Sequence, residues 1–270
     1  MCKKQILIVF SVLTVGCSAG RMTNLQVEGT PPSAPLPFTY DTIPRVIISP
    51  WAVVGGSSEF NGRMQGTPGD FHGNNFVWRF PSKIIGGIVE IPVYSFASVV
   101  GGAEIGSVGQ NNSIRFIAGI SSRLELFSIR VRGDVAFSWS RRYVRKEYYP
   151  EDVPMGPSYP PRIEEQFSFR NGFQVAMSFW IDSKITPLVQ FSFHGDNIAD
   201  RSLGIPMGAL PPTAQGPFRT SALAMTPALA MRITPSVQLT FGVRMRYMLG
   251  FHTPQSNPML LPIVQVHYGL

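Results

Sequence analysis

The chain has 270 residues, 44% of them hydrophobic and only 14% charged, against about a quarter charged in soluble domains. No run approaches the roughly 20 apolar residues that a membrane-spanning helix needs, which excludes a helical membrane protein. Few charges without a spanning helix fit a membrane β-barrel, whose apolar residues are diluted by alternation.

At the N-terminus, Lys3 and Lys4 precede a short apolar run, "ILIVFSVLTVG", and then Cys17. The run "LTVGC" resembles the lipobox of bacterial lipoprotein signals, with the small Gly16 before the cysteine and Thr14 where that family usually has leucine. The resemblance implies a signal peptide over 1–16, removed on export, and a lipid (palmitate-type) chain on Cys17 as the new N-terminus. The only other cysteine, Cys2, lies in the part removed, so the mature chain can form no internal disulfide. Removing Lys3 and Lys4 takes the formal charge of +7 to +5. Export and arginines that alternate instead of clustering argue against a nucleic-acid partner. Residues 17–44 carry several prolines and no periodicity, which predicts a lipid-anchored flexible tether.

From 45 to 270 the pattern is strands and turns. "RVIISPWAVVGG" (45–56) predicts a first ascending strand and "KIIGGIVEIPVYS" (83–95) its descending neighbour. Further strands are expected at 96–107, 113–120, 124–144, 166–181, 185–195, 219–233, 237–251 and 259–270, which makes ten, with eight as the fallback if the first two do not pair. Short turns are expected at 121–123, 182–184 and 234–236, and long Pro- and Gly-rich loops at about 146–165, 196–218 and 252–258. Residues two apart on a strand share a face, and here one face is greasy and the other small or polar. In "VQLTFGVRMRYMLG", Val237, Leu239, Phe241, Val243, Met245, Tyr247 and Leu249 oppose a face that carries Arg244 and Arg246. Pro227 falls inside an expected strand, where a bulge would accommodate its missing N–H.

The ending "PIVQVHYGL" resembles the closing strand of outer-membrane barrels, with Val264, Val266, Tyr268 and Leu270 at every second position and leucine where phenylalanine is usual. With short turns alternating with long loops, the resemblance covers most of 45–270 and implies an antiparallel up-and-down transmembrane β-barrel in the bacterial outer membrane. Its partners would be outer-membrane lipid and the barrel-assembly machinery. An even strand count puts both ends of the barrel on the periplasmic side, the side that an inner-leaflet anchor needs. The competing architecture is a periplasmic β-sandwich acting as a binding module.

On this register the lumen receives Glu90, Glu104, Arg115, Arg130, Arg132, Asp134, Arg170, Arg232, Arg244 and Arg246. Ten strands enclose little space, so long arginines paired to the three carboxylates would fill the bore and leave a structural, envelope-related role. The alternative is a narrow pore, for which the surplus positive charge would favour anions. Some ten-stranded outer-membrane barrels are surface proteases with aspartate and histidine at the outer rim, and "FHGD" sets His194 and Asp196 near such a place. The spacing is generic and no matching pair stands on an opposite strand, so no enzyme is expected. The four histidines lack ligand spacing, and neither a metal nor a cofactor is expected.

Overall fold

The computed structural model describes residues 21–29, 34–39, 44–54, 58–63, 75–81, 83–108, 110–126, 128–149, 160–181, 183–199, 218–249 and 259–270. The signal segment and Cys17 lie outside these residues. The described strands are β1 (Arg21–Glu28), β2 (Ile47–Val54), β3 (Ser58–Arg63), β4 (Asn75–Phe80), β5 (Lys83–Tyr94), β6 (Ala97–Val108), β7 (Asn111–Leu126), β8 (Ile129–Tyr149), β9 (Arg162–Ile181), β10 (Ile185–Ala199), β11 (Phe218–Thr234), β12 (Val237–Leu249) and β13 (Met259–Gly269).

Ten of them, β2 and β5 through β13, close into an antiparallel up-and-down barrel. The first and last staves, β2 and β13, pair directly and seal the ring. A single sheet that closes on itself is not two stacked sheets, so the sandwich expectation is overturned. The faces are inverted relative to a soluble barrel. Ile85 and Phe169 are each 70% exposed, and Phe116, Phe137, Phe173, Phe191, Phe241 and Tyr268 also stand on the outside. Glu90, Arg115, Arg132, Gln238 and Gln265 are buried inside. An apolar cluster shares the interior with them, including Trp51, Ile88, Ile117, Trp180 and Leu188. Gly86 makes room for it, since a Cβ there would overlap the Trp51 ring.

The short connections β5–β6, β7–β8, β9–β10 and β11–β12 lie at one end of the barrel. β8, β10 and β12 end, and β9, β11 and β13 begin, at the other. The expected turn at 121–123 sits six residues early. Those residues continue β7 as far as Leu126, in register with β8 through Arg123↔Arg132. Polar residues in an unbroken strand had imitated a turn.

Three strands lie outside the ring. Above the last β7–β8 pair, Ile114↔Arg141, the upper part of β8 takes β1 as its neighbour, from Glu28↔Tyr143 to Arg21↔Tyr149. β4 adds parallel to β1, and β3 pairs with β4. The β8–β9 hairpin is polar there, with Arg145 bridging Glu147 at 3.1 Å and Glu165 at 3.8 Å.

Two prolines interrupt the ladders without shifting them. The β11–β12 register is continuous from Ser221↔Leu249 to Arg232↔Gln238 but skips Thr226 and Pro227. The β13–β2 register likewise skips Ser49 and Pro50. The bulge expected at Pro227 is therefore absent: the missing N–H deletes a rung and leaves the count intact. At each gap the lumen-facing neighbour restores the link through its side chain. Ser49 Oγ meets His267 Nδ1 at 2.8 Å, and Arg244 Nε donates to Thr226 Oγ1 at 3.3 Å. Ser49→Ala and Thr226→Val each leave a buried partner unpaired, at a cost of about 1–3 kcal/mol. Urea unfolding of the detergent-refolded barrel should show both losses, while Ser183→Ala in an exposed turn should leave the midpoint in place.

Candidate functional site: the barrel lumen

Because side chains alternate across each strand, the closed ring turns every second residue inward, and the inward set is rich in guanidinium and amide groups. Near the short-turn end, Glu90 on β5 receives Arg132 at 2.7 Å and Arg123 at 3.1 Å. Arg132 also bridges Asp134 at 2.7 Å. This cluster pairs two cations with two carboxylates. Further along the bore, Arg115 on β7 lies beside Glu104 on β6 at 2.8 Å, both fully buried, from directly opposed positions of one hairpin. Arg244 and Arg246 on β12 are also buried in the bore.

All ten residues expected in the lumen lie on the inward face. Glu90, Glu104, Arg115, Arg132, Asp134, Arg244 and Arg246 are buried, and Arg130, Arg170 and Arg232 are half-buried. Sequence reasoning missed Arg123, which had been placed in a turn. It also missed Arg142, buried beside Trp78 with its guanidinium 5.0 Å from the ring centroid. On β13, Val264 and Tyr268 are exposed and Val266 is half-buried, Leu270 just beyond it is exposed, and Gln265 and His267 point inward. His194 is not at a rim. β10 continues past it to Ala199, and the imidazole is buried with Nε2 2.9 Å from Ser192 Oγ. The side chain of Asp196 lies outside the described residues.

The stretch expected to be a flexible tether is instead ordered in two places. Arg21–Glu28 forms β1, and residues 34–39 run buried through the lumen. The carbonyls of Ala34, Pro35, Leu36, Pro37 and Thr39 accept hydrogen bonds from the wall. Arg244 Nη2 donates to Ala34 O at 2.6 Å and Gln190 Nε2 to Pro35 O at 2.7 Å. Gln265 Nε2 donates to Leu36 O at 3.2 Å, Gln238 Nε2 to Pro37 O at 3.2 Å and Arg232 Nη2 to Thr39 O at 3.3 Å. Two of the glutamines also accept: Leu36 N donates to Gln265 Oε1 at 2.9 Å, and Thr39 N to Gln238 Oε1 at 2.8 Å. Each thus answers the backbone as a strand partner would. Pro35 and Pro37 bring no N–H, so the segment carries fewer donors into a closed interior than an ordinary strand. Phe38 stacks obliquely near His267, with centroids 5.9 Å apart.

No family model matches the chain, and no curated protein matches its sequence. One solved structure, "NanC porin structure in rhombohedral crystal form", superposes over 83% of this chain and 99% of its own, with 10% sequence identity and a TM-score of 0.32. A likeness at that level does not bear on function.

The ion pairs give the site a measurable signature. Glu90→Ala takes the carboxylate from Arg123 and leaves Arg132 with Asp134 alone, and should cost about 3–5 kcal/mol. Glu165→Ala removes one side of an exposed pair and should cost about 0–1 kcal/mol. Paired urea titrations of the two variants should separate them by several-fold.

Proposed function

We propose that this chain is an outer-membrane β-barrel lipoprotein, acylated at Cys17 after loss of residues 1–16, whose bore is closed by its own residues 34–39. In water, a continuous apolar belt around the ring would far exceed the few hundred Å² that soluble monomers expose; in lipid it is the expected surface. Outer-membrane lipid and the barrel-assembly machinery are its partners, and nucleic acid is not among them. Its role is structural and envelope-related, carried out through what projects beyond the rim. It is neither an enzyme nor a cofactor protein. Catalysis finds little support, because His194 faces the packed interior with a serine hydroxyl at its Nε2.

The row of carbonyl bonds along residues 34–39 carries this reading. A wall that spends Arg232, Arg244 and three glutamines on one peptide segment is using its polar groups to hold that segment, not to pass solutes. The surplus arginines, which alone would suit an anion path, have here a neutral acceptor to satisfy.

Planar bilayers separate the two readings. The full chain should give no channels. Gln238→Ala/Gln265→Ala/Arg244→Ala, which removes the bonds to Ala34, Leu36, Pro37 and Thr39 N, should give intermittent anion-preferring openings. Steady conductance in the parent would instead establish the narrow anion pore. Loss of palmitate labelling in Cys17→Ser tests the anchor separately.

A further inference from the structure

We infer that the chain passes through its own barrel, so that β1 stands at the long-loop end, opposite the end where β2 begins. This rests on the membrane placement proposed above but concerns a different property, the side on which the N-terminus emerges.

The path can be followed residue by residue. Ile47 starts β2 at the short-turn end, paired with Gly269 at the end of β13. A Cβ on Gly269 would meet Pro44 and the ring of Phe38, so both lie at that rim. Thr39 is bonded to Gln238 and Arg232, the second residue of β12 and the third from the end of β11. Leu36 is bonded to Gln265, higher on β13, and Ala34 to Arg244, higher still on β12. Read backward from 39 to 34, the segment therefore climbs away from the short turns.

The next described residues upstream are already at the far end. A Cβ on Gly29 would press on the Arg142 side chain, and Gly29 O accepts from Trp78 Nε1 at 3.3 Å. Glu28 accepts from Asn111 Nδ2, at the start of β7, at 2.7 Å. From there β1 runs outward along β8, and Arg21 pairs with Tyr149, the last residue of that strand.

Chain length then fixes the side of any anchor. Cys17 is four residues upstream of Arg21, a reach of at most about 14 Å. The apolar band of an outer-membrane barrel is about 25 Å tall. A lipid on Cys17 therefore cannot return to the leaflet at the short-turn end. The inner-leaflet anchor expected from an even strand count is replaced by display of the N-terminus on the outer face.

The test uses single-cysteine variants of the full chain on intact cells with a membrane-impermeant maleimide, and the parent as background for Cys17. Thr23→Cys reports β1, Glu164→Cys the top of the β8–β9 hairpin, and Ser236→Cys a short turn. Position 23 should react on intact cells as position 164 does, and position 236 only after permeabilisation. Reaction of 23 in step with 236 would overturn the inference while leaving the barrel reading intact. Labelling of 236 on intact cells, with 23 and 164 both protected, would sustain the threading but reverse the proposed orientation. As a second measurement, Gln26→Cys/Arg145→Cys places thiols at opposed positions of β1 and β8. Oxidant-induced cross-linking of this variant in unboiled membranes is expected, and its failure in a barrel that retains heat-modifiable mobility counts against the inference.

Discussion

The rest of the structure depends on one match between donors and acceptors. Residues 34–39 bring carbonyls and few N–H groups into a space that ten strands have closed to water. Buried polar groups are costly unless they are hydrogen-bonded. Arginine has donors and no acceptor, and the glutamine amide has both. The wall meets the carbonyls of Ala34 and Thr39 with arginine and that of Pro35 with Gln190. Where a carbonyl and a nearby N–H both need a partner, at Leu36 and between Pro37 and Thr39, it uses glutamine. Composition of wall and segment are therefore two halves of one requirement.

The interior charge follows from the same requirement. Where no peptide segment is bonded to it, the wall pairs its ions internally: Arg123 and Arg132 with Glu90 and Asp134. Where the segment lies against it, Arg244 and Arg232 turn a guanidinium N–H toward a backbone oxygen. The excess of arginine that looks like an anion path in sequence is in the structure partly the lining of a peptide groove.

Much of the barrel was legible because its signal is a period. Alternation over "VQLTFGVRMRYMLG" and "PIVQVHYGL" survives whether the neighbouring strand is known or not, so strand number, face and the inward set of charges could be read directly. The signals that failed were those that depend on a partner. "SSR" reads as a turn by composition, yet Ser121–Arg123 is held in β7 by pairing with β8. β1, β3 and β4 are six to eight residues long, with little alternation. They exist as strands because the exposed upper edge of β8 offers rungs that β7 no longer fills. The proline-rich stretch before 45 reads as a tether since nothing in it is periodic. Its order comes from partners far along the chain: β8 and β4 for β1, and for residues 34–39 glutamines and arginines some 155 to 229 residues away.

A segment bonded inside a closed ring also constrains how the ring can be made. β2 and β13 are sequence extremes of the barrel and pair last in any assembly that follows chain order. The seam they form already lacks the rungs at Ser49 and Pro50, and the bond from Ser49 to His267 crosses it on the inside. Gln265 and His267, which face the segment, lie on the sealing strand itself. The contacts that hold residues 34–39 and the contacts that close the barrel therefore share β13, so neither set is complete without the other. An open sheet carrying β10 to β12 offers Gln190, Gln238 and Arg244 as a partial groove. Docking of the segment there would cover buried polar groups before closure and give β13 a surface to pack on.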